Sequence, residues 1–302
     1  AAKLSGKTIG DVADNGAKVI VTALSNTADL SNITTDSVTT TVDADITGFT
    51  GDLGTAVVTL AKDIKFTSTA AKLSGKTIGD VADNGANVIV TGLDTTDGKT
   101  ADLSKITTDS VTSALTEDVT FTGNLGTAVV TVSDGKTLTA AANILEGNVI
   151  NKAGTTGAIK VTMTKDATAA QDEAVDLTKI TGTAVVTSIT VTNDMTFSGV
   201  LHGTADTTLA DTVKFTSTAA TLHNKKVVDA TGGTSTVIVT GLNAKADTDL
   251  SNITTTSVTT TVTGSITNFT GDLGTAVVTL AKDIEFTSTA AKLSGKTIGD
   301  VA

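Results

Sequence analysis

The chain repeats itself at intervals of about 73 residues, and this repetition constrains its fold more than any other feature. The segment "DLSNITT" at residue 29 returns as "DLSKITT" at 102, "DLTKITG" at 176 and "DLSNITT" at 249. Residues 29–82 and 249–302 differ at only six of 54 positions. Four similar units in a chain of 302 residues predict an architecture of stacked repeats.

A finer repeat lies within each unit, where a large apolar residue is followed by Thr or Ser four times, at a mean spacing of about 18 residues. We call these sixteen apolar residues the apolar ladder. They are Val21, Ile33, Phe49, Phe66, Val90, Ile106, Phe121, Leu138, Val161, Ile180, Phe197, Phe215, Val239, Ile253, Phe269 and Phe286. A module this short cannot bury its own apolar face, so we expect each module to stack on its neighbours.

The local pattern within a module is that of a β-strand. Segments such as "KVIVT" and "DIKFT" alternate apolar and polar residues, and turn segments such as "TGDLG" separate them. The chain contains no Pro, which fits strands that must donate hydrogen bonds to both neighbours. We therefore predict an all-β fold, a parallel β-solenoid of about sixteen coils of about 18 residues. Ladder residues should point inward and stack about 4.8 Å apart, and the adjoining Thr should face solvent.

The domain organisation follows from the same repeats. We expect one continuous solenoid over residues 1–302, with repeats at about 18–86, 87–158, 159–235 and 236–302 and with residues 1–17 as the tail of a preceding repeat. The segment "AAKLSGKTIGDVA" occurs at both 1–13 and 290–302, in register with the repeat. This predicts either a longer parent array or copies that associate end to end. A row of four small β-sandwiches is the alternative fold, but it does not explain the 18-residue period.

Composition excludes several classes of function. The net charge of −11 and the pI near 4.5 argue against nucleic-acid binding, which needs clustered basic residues. The absence of Cys excludes disulfides and thiolate metal sites. No apolar run approaches the 18 residues of a membrane span, so none is predicted.

An acidic residue precedes most ladder positions other than the Val positions by three or four residues, and these carboxylates are the candidate metal ligands. They are Asp29, Asp45, Asp63, Asp102, Asp118, Asp176, Asp194, Asp211, Asp249 and Asp283, with Asp134 at a corresponding position and Ser265 in place of a twelfth. One interpretation is a turn residue whose carboxylate caps a nearby N–H. The other is a row of carboxylates at strand spacing that binds Ca²⁺, the one cofactor we predict, through oxygen ligands.

No catalytic residue is predicted, and we interpret the chain as a protein without enzymatic activity. It has no Cys nucleophile and no G-x-S-x-G motif, and its only histidines, His202 and His223, have no metal-binding spacing. Both are expected in solvated or loop positions. Polysaccharide-active β-solenoids remain an alternative, but the chain lacks the Arg, Trp and Tyr that such sites usually carry. The "SGKT" at 74 lacks the upstream Gly of a P-loop and predicts a turn.

The imperfect repeats "DLSNITT" and "GTAVVTL", in an acidic chain rich in Thr, Ala, Val and Gly, resemble those of bacterial surface-layer proteins and giant secreted repeat adhesins. The resemblance covers the whole chain in composition and repeat style. It implies an extracellular structural role at the bacterial cell surface, often dependent on calcium. The implied partners are further copies of the chain and a cell-surface glycan.

The predicted outward row of Thr suggests a second class of function. A flat, regular Thr array is what β-solenoid antifreeze proteins display, so ice binding, or binding of another ligand to this row, is the alternative function. Against it, the ladder spacing varies from 12 to 24 residues, and we expect the resulting loops to disturb a flat face.

Overall fold

The computed structural model describes residues 2–11, 16–81, 85–165, 172–203 and 205–301. The first twelve strands are β1 (Lys18–Val21), β2 (Ser37–Val42), β3 (Ile46–Phe49), β4 (Val57–Leu60), β5 (Lys65–Thr69), β6 (Ile78–Asp80), β7 (Asn87–Thr91), β8 (Ser110–Leu115), β9 (Val119–Phe121), β10 (Val129–Val132), β11 (Thr137–Ala141) and β12 (Ile150–Lys152). The next twelve are β13 (Ala158–Met163), β14 (Val185–Val191), β15 (Met195–Phe197), β16 (Asp206–Leu209), β17 (Lys214–Thr218), β18 (Val227–Asp229), β19 (Thr236–Thr240), β20 (Ser257–Val262), β21 (Ile266–Phe269), β22 (Val277–Leu280), β23 (Phe286–Ser288) and β24 (Thr297–Asp300).

Short helices interrupt the strands at regular points of the repeat. Four one-turn α-helices are described, α1 (Ala70–Leu73), α2 (Ala142–Leu145), α3 (Ala219–Leu222) and α4 (Ala290–Leu293). Three 3₁₀ turns are described at Gly98–Thr100, Leu177–Lys179 and Leu242–Ala244. No helix in the described ranges is long and apolar enough to span a membrane.

The fold is an all-parallel β-solenoid of about 14 turns, which confirms the predicted class. The chain divides into two compact units, one of residues 1–139, 147–158 and 180–184, the other of residues 140–146, 159–179 and 185–302. The prediction of one continuous solenoid domain, with the repeat boundaries given above, stays a prediction.

Two parallel sheets lie wholly within the first unit, in the orders β1-β2-β4-β6 and β3-β5-β7-β8-β10-β12. Each strand pairs with the one about 20 residues further on, as Ile46 with Phe66 or Phe66 with Val88. The second unit contains β14-β16-β18 and the longer sheet β15-β17-β19-β20-β22-β24, with β21 paired to β23. Every strand pair within these sheets is parallel, because the chain always returns in the same direction around the coil.

Equivalent strands of successive repeats do not lie on the same sheet, and this explains why the turns number about 14 and not sixteen. Three parallel steps lead from β2 to β4, from β4 to β6, and from Ile78 of β6 to a bridge at Ile106. The strand β8 then begins at Ser110, on the neighbouring sheet. One repeat therefore makes three turns and part of a fourth. As a result, a strand such as β2 and its counterpart in the next repeat, β8, lie on different sheets.

The inward and outward directions of the apolar ladder are as predicted. Fifteen of its sixteen residues are buried, and only Phe286 is half-buried. The Thr or Ser that follows each of them is at least partly exposed. The prediction that ladder residues stack on one another holds only for part of the repeat. Between β5 and β7, the ladder residue Phe66 pairs with Val88 and the ladder residue Val90 pairs with Ser68, and neither partner belongs to the ladder.

Phenylalanine pairs are the part of the ladder that does stack. The ring centroids are 5.5 Å apart for Phe49 and Phe66 and 5.9 Å apart for Phe197 and Phe215. A register shift follows Ile46, and it leaves the carbonyl of Phe49 to accept a hydrogen bond of 2.7 Å from the Ser68 hydroxyl. At this aromatic pair, whose rings are tilted by 40°, a side-chain hydrogen bond joins the two strands where the strand ladder is interrupted.

One inward position of the second strand of the repeat carries a hydroxyl in the core. Thr40, Ser113 and Thr260 point inward, and their hydroxyl oxygens have no hydrogen-bond partner among the described residues. Thr260 is 2% exposed and pairs with Val239 and Val278. A buried hydroxyl without a partner loses its hydration and gains nothing in return.

We expect Thr260→Val to raise the free energy of unfolding by about 1 kcal/mol, because it removes an unsatisfied hydroxyl and keeps the side-chain shape. Thr259→Val is the matched control, since Thr259 is the partly exposed neighbour on the outer face. It should change stability by less than about 0.5 kcal/mol. Urea unfolding monitored by circular dichroism measures both, and a destabilised Thr260→Val would show that its hydroxyl has a partner.

Candidate functional site

The predicted row of carboxylates is divided among three turn positions and does not form one line. The residues that precede the Ile positions of the ladder form the first group. They are Asp29, Asp102, Asp176 and Asp249. Each accepts a hydrogen bond at Oδ1 from the backbone N–H two residues later, at 3.0, 3.0, 3.0 and 2.9 Å respectively. This is an Asx turn, the structural role that the capping interpretation predicts.

The second group precedes the first Phe position of each repeat, where the carboxylate joins one coil to the next. Asp45 accepts from the N–H of Lys65 at 2.9 Å, and Asp194 accepts from the N–H of Lys214 at 2.7 Å. Asp118 accepts from the N–H of Thr137 at 2.7 Å. In the fourth repeat the hydroxyl of Ser265 takes the same place and accepts from the N–H of Glu285 at 3.1 Å. The one departure from Asp in the sequence pattern therefore preserves the contact.

The third group lies in the turn before the second Phe position. Asp63 and Asp283 have left-handed backbone conformations, with φ of 60° and 62°. At the same turn, Asp134 and Asp211 instead cap the following coil: Asp134 accepts from Thr155 and Thr156 at 3.0 and 2.8 Å, and Asp211 accepts from Thr234 at 3.0 Å. Asn and Asp tolerate the left-handed conformation of Asp63 and Asp283 better than other residues with a Cβ. In this third group the acidic residue therefore stabilises the turn, either by its backbone conformation or by capping N–H groups.

Hydrogen bonding lowers the pKa of several of these carboxyls. The hydroxyl and N–H of Ser31 hold the pKa of Asp29 below its usual value, and those of Ser104 do the same for Asp102. The hydroxyl and N–H of Thr156 lower the pKa of Asp134. Their ionised forms are favoured because each accepts two or more hydrogen bonds.

These shifts predict acid sensitivity. The folded-state pKa values lie below the unfolded value of 3.8, so the stabilisation is present above about pH 4 and is lost as pH falls through the folded values. The melting temperature should be constant from pH 7 to 5 and fall between pH 4 and 2. Ser104→Ala should raise the pKa of Asp102 in a carboxyl NMR titration and leave that of Asp134 unchanged. An equal melting temperature at pH 7 and pH 2 would contradict the assignment.

Sequence reasoning missed a lysine clamp in the first and fourth repeats. The Nζ of Lys76 lies 3.1 Å from Oδ1 of Asp52 and donates to the carbonyl of Gly54 at 2.9 Å. Lys296 makes the same contacts with Asp272 and Gly274, at 2.9 and 2.8 Å. The "SGKT" segment is thus a turn, as predicted, whose lysine joins two coils. The identical separation of Asp and Lys in both repeats was the available signal.

A second set of acidic residues was also missed. Asp80 accepts the N–H of Asp109 at 2.9 Å, and Asp109 accepts the N–H of Gly85 at 2.6 Å. In the first repeat Asp11 accepts the N–H of Asp36 at 3.0 Å. Their recurrence in "IGD" and "TTDS" could have revealed them, but nothing in a single repeat places these two segments side by side.

The histidines have no common site. Nδ1 of His223 accepts the N–H of Asp249 at 3.0 Å, in the place that the Ser74 hydroxyl occupies toward Asp102. The pKa of His202 is lowered by its partial burial and by the nearby charge of Lys225. The buried Nδ1 atom of His202 has no hydrogen-bond partner among the described residues. His223 lies in a turn, and His202 lies in a loop between β15 and β16.

The fold does not bring the predicted metal ligands together into one site. In the parts of the chain that the structure describes, no three His, Asp or Glu side chains are grouped so that they could hold a metal ion. Calcium binding by the Asp residues stays a prediction. If they bind it, EDTA should lower the melting temperature, and Ca²⁺ at 100 times its Kd should restore about 2.7 kcal/mol of stability. Mg²⁺ at the same ionic strength is the control, and a melt unaffected by EDTA would leave these residues as turn caps.

No protein-family model matches the chain, and neither a curated protein nor a solved structure shows significant similarity to it.

Proposed function

We propose that this protein is a structural component of a bacterial cell-surface assembly and that its copies associate by stacking of coils. The observation that supports the proposal most strongly is that one repeat covers the apolar coil of the repeat before it, and that the coil of residues 286–300 has the same apolar surface. We call this surface the open coil. It is formed by Phe286, Leu293 and Ile298.

Local sequence does not explain the exposure of the open coil. Residues 286–302 repeat residues 66–82 without a change. The counterparts Phe66, Leu73 and Ile78 are all 0% exposed, because β7 and the residues around Ile106 lie against them. Phe286, Leu293 and Ile298 are half-buried. The same surface is therefore covered in one repeat and open in the other.

An open coil of this kind favours association. Apolar area exposed to water costs free energy in proportion to its extent, at about 25 cal/mol per Å². The complementary surface that covers such a coil is the next repeat, and every copy of the chain carries it.

The proposed location is supported by composition. An acidic chain with no Cys, rich in Thr and Val, fits an extracellular protein that must stay soluble without disulfides. The Asp residues described above serve as turn caps in each repeat, a use that suits a structural array. Binding of a cell-surface glycan is a further partner implied by the resemblance to surface-layer proteins and adhesins, and it stays a prediction.

Charge placed on the open coil tests the proposal. In Leu293→Lys a half-buried leucine becomes charged, so concentration-dependent association should be lost. Ala291→Lys is the matched control, because its counterpart Ala71 is exposed even where the coil is covered. It should associate like the unaltered protein.

Sedimentation velocity from about 1 to 100 µM measures the association, and electron microscopy of the associated material shows its form. A chain that stays monomeric over the whole range, in the unaltered protein and in the control alike, would remove the basis of the proposal. Equal association of the two lysine variants would place the contact elsewhere on the molecule.

Ice or ligand binding is the second candidate, favoured by two outward columns on the long sheet of the second unit. The strand register aligns Thr216, Ile238, Thr259, Val277 and Thr297 in one column. The second contains two pairs, Thr218 with Thr240 and Thr261 with Thr279. Some of the residues that make the spacing irregular lie between the strands, as in the 3₁₀ turn Leu242–Ala244 between β19 and β20.

The columns have the regularity that such a function requires. Neighbouring strands are about 4.8 Å apart and alternate residues about 6.7 Å apart, so hydroxyl and methyl groups recur in two dimensions. Thermal hysteresis of the protein solution tests this candidate. Thr261→Lys should reduce it, and Thr254→Lys, an exposed position outside the columns, should not. No hysteresis in the unaltered protein would exclude ice as the ligand.

Hydrolysis of polysaccharides remains the third alternative from the sequence. Release of reducing sugar from a panel of glycans tests it.

A further inference from the structure

The third repeat contains an open groove that the stacking of coils does not use. It lies between the turn that precedes β15 and the turn that precedes β17, and its volume is about 470 Å³. This volume is within the range of small-molecule sites, about 300 to 1,000 Å³. We call it the corner groove, and its lining includes Lys165, Asn193, Asp194, Asp211, Thr212 and Val213.

An ion pair crosses the corresponding corner of the second repeat. Counted back from the next ladder residue, Asn193 corresponds to Glu117. In the same way, Val213 corresponds to Lys136. The Nζ of Lys136 lies 2.6 Å from Oε2 of Glu117. Neither Asn193 nor Val213 carries a charge, so the third repeat cannot form this pair, and the corner groove lies in its place.

The two aspartates of the corner groove use only one carboxylate oxygen each to cap the fold. Oδ1 of Asp194 accepts from the N–H of Lys214 at 2.7 Å, and Oδ1 of Asp211 accepts from the N–H of Thr234 at 3.0 Å. Within the described part of the chain, no donor contacts Oδ2 of either residue. Each aspartate therefore keeps an oxygen that can accept a hydrogen bond from a ligand.

Hydrogen-bond donors line the same groove. The hydroxyl of Thr192 donates to Oδ1 of Asn193 at 2.9 Å, and the amide N–H groups of Asn193 have no acceptor among the described residues. The Nζ of Lys165 lies 3.1 Å from Oε1 of Glu173. An ammonium group carries three donors, so Lys165 can make this ion pair and still donate to a ligand.

Thr212 has a backbone conformation that is unusual for a β-branched residue. Its φ is 62°, a left-handed value that a branched side chain adopts only at a cost in free energy. The equivalent residues of the other repeats are Asp63, Gly135 and Asp283, which tolerate this conformation better. Strained residues of this kind occur preferentially at ligand sites. The hydroxyl of Thr212 donates to the carbonyl of Asp211 at 2.7 Å and can still accept from a ligand.

We propose that the corner groove binds a neutral saccharide. Each sugar hydroxyl both donates and accepts, so it matches the free carboxylate oxygens as well as the amide of Asn193 and the ammonium of Lys165. The methyl groups of Thr212 and Val213 provide the apolar part of the lining. An anionic ligand is disfavoured, because both aspartates are negative and the charge of Lys165 is already paired. The proposal goes beyond the stacking of copies and involves no residue of the open coil.

Titrations followed by nuclear magnetic resonance measure the binding in the full chain. The side-chain amide signals of Asn193 should shift on addition of cellobiose, maltose or N,N′-diacetylchitobiose. Glucuronic acid at the same concentration should leave them unchanged. Sedimentation with insoluble cellulose or chitin distinguishes the source of the sugar, since binding to these solids alone indicates a polymer and binding to the disaccharides indicates that free sugar suffices.

Variants that keep the turns intact assign the binding to the groove. In Asp211→Asn, Oδ1 still accepts from the N–H of Thr234 but the free oxygen becomes a donor, so the Kd should rise about tenfold. Asp134→Asn makes the same change in the second repeat and should leave the Kd unchanged. Asn193→Glu with Val213→Lys places the ion pair of the second repeat in the groove and should abolish binding.

Thr212→Gly tests the strained residue. It introduces the residue type of the equivalent Gly135, so the melting temperature should rise while sugar binding weakens. A merely structural threonine would not couple a gain in stability to a loss of binding.

The outcomes decide the inference separately from coil stacking. Binding of a neutral sugar that Asp211→Asn weakens and Asp134→Asn does not supports it. The inference is overturned if no disaccharide shifts the Asn193 signals and neither solid binds the protein, or if the two Asp variants weaken binding equally. Leu293→Lys, which tests coil stacking, should bind sugar like the unaltered protein.

Discussion

Phe66→Ala should lower the free energy of unfolding around its coil by about 3 to 5 kcal/mol, because it empties a fully buried site between two coils. The ring of Phe66 lies 5.5 Å from that of Phe49, and Phe66 pairs with Val88 on the other side. Phe286→Ala is the matched control, since residues 286–302 repeat residues 66–82 but Phe286 is half-buried. It should cost roughly half as much or less, because part of that side chain is already exposed to water.

Thr67→Ala gives the comparison within one strand. Thr67 is partly exposed on the outer face, so its removal should cost less than about 1 kcal/mol. Stacked repeats need not unfold in one step, so hydrogen exchange at the β5 and β7 amides is a better measure than a global melt. Equal losses for Phe66→Ala and Thr67→Ala would mean that the inner and outer faces of β5 are wrongly assigned.

Gly51→Ala is expected to have the other large effect, a loss of about 3 kcal/mol. A Cβ at this position would lie 2.0 Å from the carbonyl oxygen of Ala28 and 2.8 Å from the ring of Phe49. The coils meet here through backbone atoms, with the N–H of Asp52 donating to the Ala28 carbonyl at 2.9 Å. A methyl group can be accommodated only if the two coils separate and this hydrogen bond lengthens.

Gly48→Asn is the control for a glycine that is replaceable. Gly48 has a φ of +71° and no atom within 4 Å of a built Cβ, and the equivalent residue of the fourth repeat is Asn268, with a φ of +60°. We expect a change within about 1 kcal/mol, because Asn tolerates the left-handed region. Thermal melts and urea titrations of both variants provide the comparison. A mild Gly51→Ala together with a severe Gly48→Asn would reverse the predicted roles.

The three groups of Asp residues show how far the candidate site could be predicted from sequence. The repeat gave their positions and offered the capping role, which the N–H contacts of Asp29 and Asp45 now show in detail. It could not show that Asp29 caps its own turn whereas Asp45 caps the strand of the following coil. That difference depends on which segments lie side by side about 20 residues apart, and a local pattern does not contain it.

Sequence alone determined the strand class, the parallel solenoid and the buried side of each ladder residue. These follow from the two-residue alternation of a strand and from the need of short modules to stack, which are local properties. The residues that meet across the coils depend on the path of the whole chain. The regular spacing predicted sixteen coils with Val, Ile and Phe in one stack. In the structure, one repeat makes three turns and part of a fourth. The strands β7 and β8 therefore join the sheet of β3 and β5. The path of the turns between strands determines which sheet each strand joins. A mean period of about 18 residues does not contain this information, because it averages over turns of different length.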